Sequence, residues 1–162
     1  MAGVRTQSLR VMSRDFFCQE INPNYIGNIC LEQPLESLQD VWKYGYKNGI
    51  LDIELSNNNF FLRFSFDENL IVNINLFKNK IAQISVLNNY LGKFKGIGIG
   101  STLGELLKKY PNIIYDNDEN FFIIPEYKSV CFFFENPYEK EQLDNKVEEI
   151  TLNSYELIKY PF

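Results

Sequence analysis

A single α+β domain, an antiparallel meandering β-sheet with two or three short helices packed on it, is predicted by three observations. Apolar and polar residues alternate with period two from Ile50 to Leu87, the turns between these runs are about three residues long, and two stretches of helical spacing flank the region. The first helical stretch is Pro34 followed by Leu35, Leu38, Val41 and Trp42, with proline tolerated in the first turn and Gly45 near the end. The alternating region then gives four strands. Leu51, Ile53 and Leu55 alternate with Asp52, Glu54 and Ser56. After a turn at Asn57 to Asn59, Phe60, Leu62, Phe64 and Phe66 alternate with Phe61, Arg63 and Ser65. The turn Asp67-Glu68-Asn69 leads to Leu70, Val72, Ile74 and Leu76, and the turn Lys78 to Lys80 leads to Ile81 to Leu87. Connections this short join antiparallel neighbours, because a parallel pair needs a crossover. One face of the meander is apolar, so it needs a cover.

The second helix opens on Thr102-x-x-Glu105, a capping box followed by Leu106, Leu107 and Tyr110, and Pro111 helps to end it. Beyond it, Ile113 to Tyr115, Phe121 to Ile124, Val130 to Glu135 and Lys146 to Leu152 are strand candidates, separated by Asp116 to Asn120, by Pro125 to Ser129 and by a long acidic loop. No repeat or linker divides residues 15–162, which are taken as one domain. Residues 1–14 carry Arg5, Arg10 and Arg14 with no acid, and their scattered apolar residues do not form the continuous core of about 7–15 residues that a secretory signal needs. They are expected to be a peripheral basic leader. No apolar run reaches the roughly eighteen residues of a membrane span, so a soluble protein without membrane association is expected. Three cysteines, taken as small buried thiols of a reducing cytosol, point to the cytoplasm.

The 162 residues carry a formal charge of −5, which disfavours a nonspecific nucleic-acid binder held by phosphate neutralisation. Histidine is absent, and with it go the usual base near neutral pH and every Ser-His or Cys-His nucleophile arrangement. Cys18, Cys30 and Cys131 have no C-x-x-C spacing, so neither a zinc site nor a disulfide framework is indicated, and no cofactor is expected. The charge is segregated. Residues 70–110 hold six lysines and one acid, whereas residues 111–162 hold eleven acids and four lysines.

Several patterns that invite a chemical reading fail in detail. Gly96-Ile97-Gly98-Ile99-Gly100 lacks the Lys-Ser/Thr of a phosphate loop and breaks the dinucleotide spacing at Ser101 and Leu103. Asp116-Asn117-Asp118-Glu119-Asn120 begins like a calcium loop, but Phe121 stands where glycine is needed and Tyr127 where a bidentate Glu is needed. The carboxylates Glu148 and Glu149, or Asp52 and Glu54, could serve acid and base roles of the glycosidase kind, yet adjacent strand residues point to opposite faces and no pocket is indicated. Lys78, Lys80, Lys93, Lys95, Lys108 and Lys109, with Tyr90 and Phe94 between them, are better taken as a solvated face than as a nucleic-acid patch.

The opposite sign makes the stronger case. Asp116, Asp118, Glu119, Glu126, Glu135, Glu139 and Glu141, with Tyr127 and Tyr138 among them, combine carboxylates that pair with Lys or Arg and aromatic anchors that supply contact area. A solubilising surface over a meander accounts for the same residues equally well.

Residues 15–162, above all Ile50 to Leu87 and the segment Ile97-Gly98-Ile99-Gly100-Ser101-Thr102-Leu103-Gly104-Glu105-Leu106-Leu107, resemble the immunity proteins of bacterial contact-dependent growth inhibition and related polymorphic toxin systems. The resemblance implies a cytoplasmic, non-enzymatic neutraliser that binds a cognate toxin domain, often a basic nuclease, and blocks its active site or substrate groove. The residues assigned to toxin binding come from charge and are not carried over from the family. A small carboxylate-dependent hydrolase, or a mobile-element accessory binding protein, is the competing expectation.

Overall fold

The structure is a computed structural model and describes residues 16–56 and 60–159. The expected leader 1–14 and the turn Asn57 to Asn59 lie outside the described residues. A small hairpin, β1 (Tyr25–Ile26) and β2 (Ile29–Cys30), precedes a 3-10 turn at Leu35–Leu38 that runs into helix α1 (Gln39–Lys47). Four strands follow: β3 (Leu51–Leu55), β4 (Phe61–Phe66), β5 (Leu70–Asn75) and β6 (Lys80–Leu87). Helix α2 (Leu103–Lys109) then introduces β7 (Ile114–Asp116), β8 (Phe121–Ile124), β9 (Tyr127–Phe134) and β10 (Val147–Asn153), and α3 (Tyr155–Ile158) closes the described chain.

The eight long-sheet strands form one antiparallel sheet in the order β3-β4-β5-β6-β10-β9-β8-β7. Two four-stranded meanders, each preceded by a helix, are therefore joined along their last strands, and the α+β prediction holds. Their join pairs Leu87 with Glu149, Ser85 with Thr151 and Gln83 with Asn153.

Pairing fixes the two faces. Phe64, Val72, Ile84, Leu152 and Val130 lie in one row, and Phe66, Leu70, Val86, Ile150, Phe132 and Phe122 in the next, all on the same side and all buried. Trp42 of α1 stacks on Phe64 and Phe66 with ring centroids 4.4 and 5.6 Å away, and Phe94 meets Phe132 edge-on at 6.1 Å. This is the cover that the alternation demanded. A Cβ at Gly45 would lie 2.7 Å from the Phe66 ring, so the glycine in the last turns of α1 lets that helix sit close on the sheet. α2 begins as expected, with the Glu105 N–H donating to Thr102 Oγ1 at 3.2 Å.

The elements the sequence pattern missed are short. β1, β2 and α3 span two to four residues each, too few to show a period. β9 also begins at Tyr127 rather than Val130, because the turn from β8 needs only Pro125 and Glu126. A Cβ at Gly92 would stand 1.9 Å from the backbone oxygen of Gln19, where the N-terminal segment crosses the loop after β6. Gly92→Ala should therefore cost at least about 2 kcal/mol by forcing two backbones apart. Thr102→Ala should cost about 1 kcal/mol through the lost cap. Urea unfolding followed by Trp42 fluorescence compares the two, and equal costs would contradict the close approach at Gly92.

Candidate functional site

Strand direction sorts the connections to two ends of the sheet. The β4–β5 turn, the β7–β8 turn and the β9–β10 loop lie at one end, and the β5–β6 and β8–β9 turns at the other. Among the described residues, the three connections at the first end carry Asp67, Glu68, Asp118, Glu119, Glu135, Glu139, Glu141 and Asp144, against Lys140 and Lys146. The other end is mixed: Lys78, Lys80 and Lys128 stand there with Glu126, and Glu36 accepts from Asn79 of the β5–β6 turn. Carboxylates are therefore gathered at the first end, where they outnumber the lysines of the same connections.

Seven of the nine predicted residues are brought together at the acidic end: Asp116, Asp118, Glu119, Glu135, Tyr138, Glu139 and Glu141. Glu126 and Tyr127 are not. They lie at the opposite end, where Glu126 accepts from Asn112 Nδ2 at 3.3 Å and the Tyr127 ring packs edge-on against Phe94 at 5.3 Å with Lys95 Nζ 5.2 Å from its centroid. Chain proximity suggested a single surface, but Tyr127 opens the eight-residue strand that Glu135 follows. Asp67 and Glu68 belong with the acidic end and were missed, because they lie in the first meander, far in sequence from the acid-rich residues 111–162.

The acidic loops hold one another. Tyr115 Oη lies 2.9 Å from Asn120 Oδ1 and 2.8 Å from the Pro137 carbonyl, Lys140 Nζ sits over the Tyr115 ring at 4.3 Å, and the same ammonium donates to Asn117 Oδ1. Asn145 Nδ2 donates to the carbonyls of Asn136 and Glu139 at 2.9 and 3.2 Å and so folds the long loop onto itself. Asp116 Oδ1 accepts from the backbone N–H groups of Asp118 and Glu119 at 2.9 and 3.0 Å, so its carboxylate shapes the turn. Asp118 and Glu119 project from that turn and are exposed, and Tyr138 is 85% exposed. No cluster of three or more His, Cys, Asp or Glu that could hold a metal occurs among the described residues.

The glycine run is a loop that leads into α2 against the β9–β10 connection, with the Val147 N–H donating to the Ser101 carbonyl and the Leu103 N–H to the Asn145 carbonyl. Gly96 and Gly100 take positive φ values of 86° and 88°, Gly100 N–H donates to the Val147 carbonyl at 2.8 Å, and the segment ties α2 to β10. Tyr90 and Phe94, set among the lysines, are buried and present no ring to a base. The alternation expected of Glu148 and Glu149 is broken by a β-bulge between Val147 and Glu149: Val147 and Ile150 are both buried, neither glutamate is, and Glu149 accepts from Thr151 Oγ1 at 3.2 Å.

The sheet face away from α1 and α2 is a polar row. Glu54 lies 3.6 Å from Arg63 Nε, Asn73 donates to Gln83 and Gln83 to Asn153, both at 2.7 Å, and Asn153 donates to Cys131 Sγ at 3.2 Å. A cleft of about 390 Å³ lies over its outer end, lined by Glu54, Phe61, Arg63, Asn73, Gln83 and Ile158 among others. Burial pushes the Cys131 thiol up to about 11, against hydrogen bonds with Tyr155 and Asn153 that lower it, and burial likewise raises the Tyr90 phenol.

No family model matches this chain, and no curated protein sequence matches it. In structure it is similar to the uncharacterized protein yfeY from Escherichia coli, whose crystal structure aligns with a TM-score of 0.57 at 16% identity, covering 83% of this chain and 99% of that one. At that identity the likeness shows the fold alone. No helix among the described residues is long and apolar enough to cross a membrane.

The Cys131 thiol is raised in the folded state, so its contribution to stability is complete below its ordinary value of 9.0 and is lost as pH rises toward about 11, where the unfolded chain has already released its proton. Urea midpoints should be level from pH 7 to 8.5 and fall from pH 9 to 11. At pH 8, iodoacetamide should modify exposed Cys18 in the native protein and reach buried Cys131 only after unfolding, as intact mass and peptide mapping will show.

Proposed function

We propose that this chain is an immunity protein that binds a cognate toxin domain and neutralises it by covering its active site or substrate groove. The observation that carries the reading is the gathering of carboxylates from three separate connections at one end of a rigid sheet, beside the exposed ring of Tyr138. Such a surface attracts a basic partner over a Debye length of about 8 Å at physiological salt, and a buried aromatic contact then slows its release. Nuclease domains suit it, because their substrate grooves are basic. The protein acts from the cytoplasm, and the reading assigns it no catalytic step, cofactor or nucleic acid.

A plain test is co-expression. A gene immediately upstream is expected to encode the C-terminal end of a very large secreted protein. Co-expression with that C-terminal domain should rescue growth, and the two chains should co-purify. Failure of both sinks the reading.

The surface assignment has its own test. Asp118→Lys with Glu119→Lys should slow association with the toxin domain by about tenfold at 20 mM salt and much less at 500 mM, as stopped-flow traces will show. Asp116 stays unchanged in this variant, because its carboxylate holds the turn. An unchanged association rate at both salt concentrations rejects the acidic end as the docking surface.

A further inference from the structure

β3 is an outer strand of the sheet, and its pairing with β4 fixes which of its peptide groups face outward. The Ser56 N–H donates to the Phe61 carbonyl at 2.9 Å and the Asp67 N–H to the Ile50 carbonyl at 2.8 Å, both in the register that sets Leu51 against Phe66. Alternation along an antiparallel ladder then turns the peptide groups of residues 50, 52, 54 and 56 toward β4. Those of Leu51, Ile53 and Leu55 face the open edge. Among the described residues no second strand pairs with β3. The other outer strand, β7, offers only three residues.

The side chains add a second constraint. Ile53 and Leu55 are 51% and 56% exposed on the helix-bearing side, and Asp52 and Glu54 are exposed on the polar side. An unpaired apolar edge is a template for another strand, and charges on it select which strand pairs. A second copy of this chain is a poor fit. Antiparallel pairing of β3 with itself about Ile53 would set Asp52 against Glu54 twice, and like charges directly opposite destabilise a sheet. A strand that alternates apolar residues with Lys or Arg fits both faces, with a cation opposite Asp52. Another would reach Glu54 at the mouth of the cleft beside Phe61 and Arg63.

We propose that β3 accepts a ninth strand in trans, an extended apolar-basic segment of a partner protein, which pairs with the backbone of Leu51, Ile53 and Leu55 and sets its basic side chains over Asp52 and Glu54. The partner's basic character rests on the binding role proposed above, whereas the test uses synthetic peptides and needs no toxin.

The probes are a seven-residue peptide alternating valine and lysine, and the same peptide with glutamate for lysine, each titrated into the full chain by fluorescence anisotropy. The lysine peptide should bind at least about tenfold more tightly than the glutamate peptide, with the preference shrinking at high salt. Amide exchange should slow at Leu51, Ile53 and Leu55. Ile53→Pro removes one outward N–H that β4 does not use and should weaken the lysine peptide about tenfold. If that variant does not fold, Asp52→Asn with Glu54→Gln supplies the same comparison by abolishing the lysine preference. Slowed exchange at sites other than β3 overturns the proposal. So does equal binding of the two peptides, a neutral-pH dimer in which β3 is already protected, or a lysine peptide that binds only after residues 1–14 are removed, which would make the chain's own N-terminus the occupant.

Discussion

The pairing of β6 with β10 is the constraint on which the rest of the structure depends. It joins two meanders that are each local in sequence, and it does so between residues as far apart as Ser85 and Thr151. At the middle of this seam the hydroxyls of Ser85 and Thr151 are buried 2.9 Å apart, and Gln83 donates to Asn153 beside them. On the reverse side Ile84, Val86, Ile150 and Leu152 are fully buried. Sliding β10 by one residue would bury its polar side chains in the core and break every one of these hydrogen bonds. Satisfied polar pairs on one side and apolar packing on the other therefore specify the same register.

The arrangement of charge is a consequence of that register. The acidic β4–β5 turn belongs to the first meander, and the acidic β7–β8 and β9–β10 connections belong to the second. Antiparallel joining of β6 to β10 places all of them at one end. Holding so many carboxylates together costs self-repulsion, and the loops offset part of it internally. Lys140 lies against Tyr115 and Asn117, and Asn145 ties two carbonyls of the long loop. The loops are thus built as fixed surfaces, which reduces the ordering cost of binding.

Much of this fold was legible in the sequence. The period-two alternation through Phe64, Val72 and Ile84 marked the strands and their buried face, and Thr102 with Glu105 marked the start of α2. Local pattern gives a strand its faces but not its distant neighbour, so the β6–β10 seam was not visible. The candidate site was legible in charge and not in place. Asp118, Glu119, Glu135, Glu139 and Glu141 share one end, whereas Glu126 and Tyr127 sit a strand's length away, and Asp67 and Glu68 join from the other meander. Asp116 differs again, since its carboxylate is spent on two backbone N–H groups that a residue list cannot show.

Hydrogen exchange on the chain with and without its cognate toxin domain tests the acidic end most directly. Slowed exchange concentrated at residues 67–69, 117–120 and 135–146 is the predicted result. Slowed exchange centred instead on the lysine-bearing end, at residues 76–80 and 125–128, with the acidic loops unchanged, would contradict it.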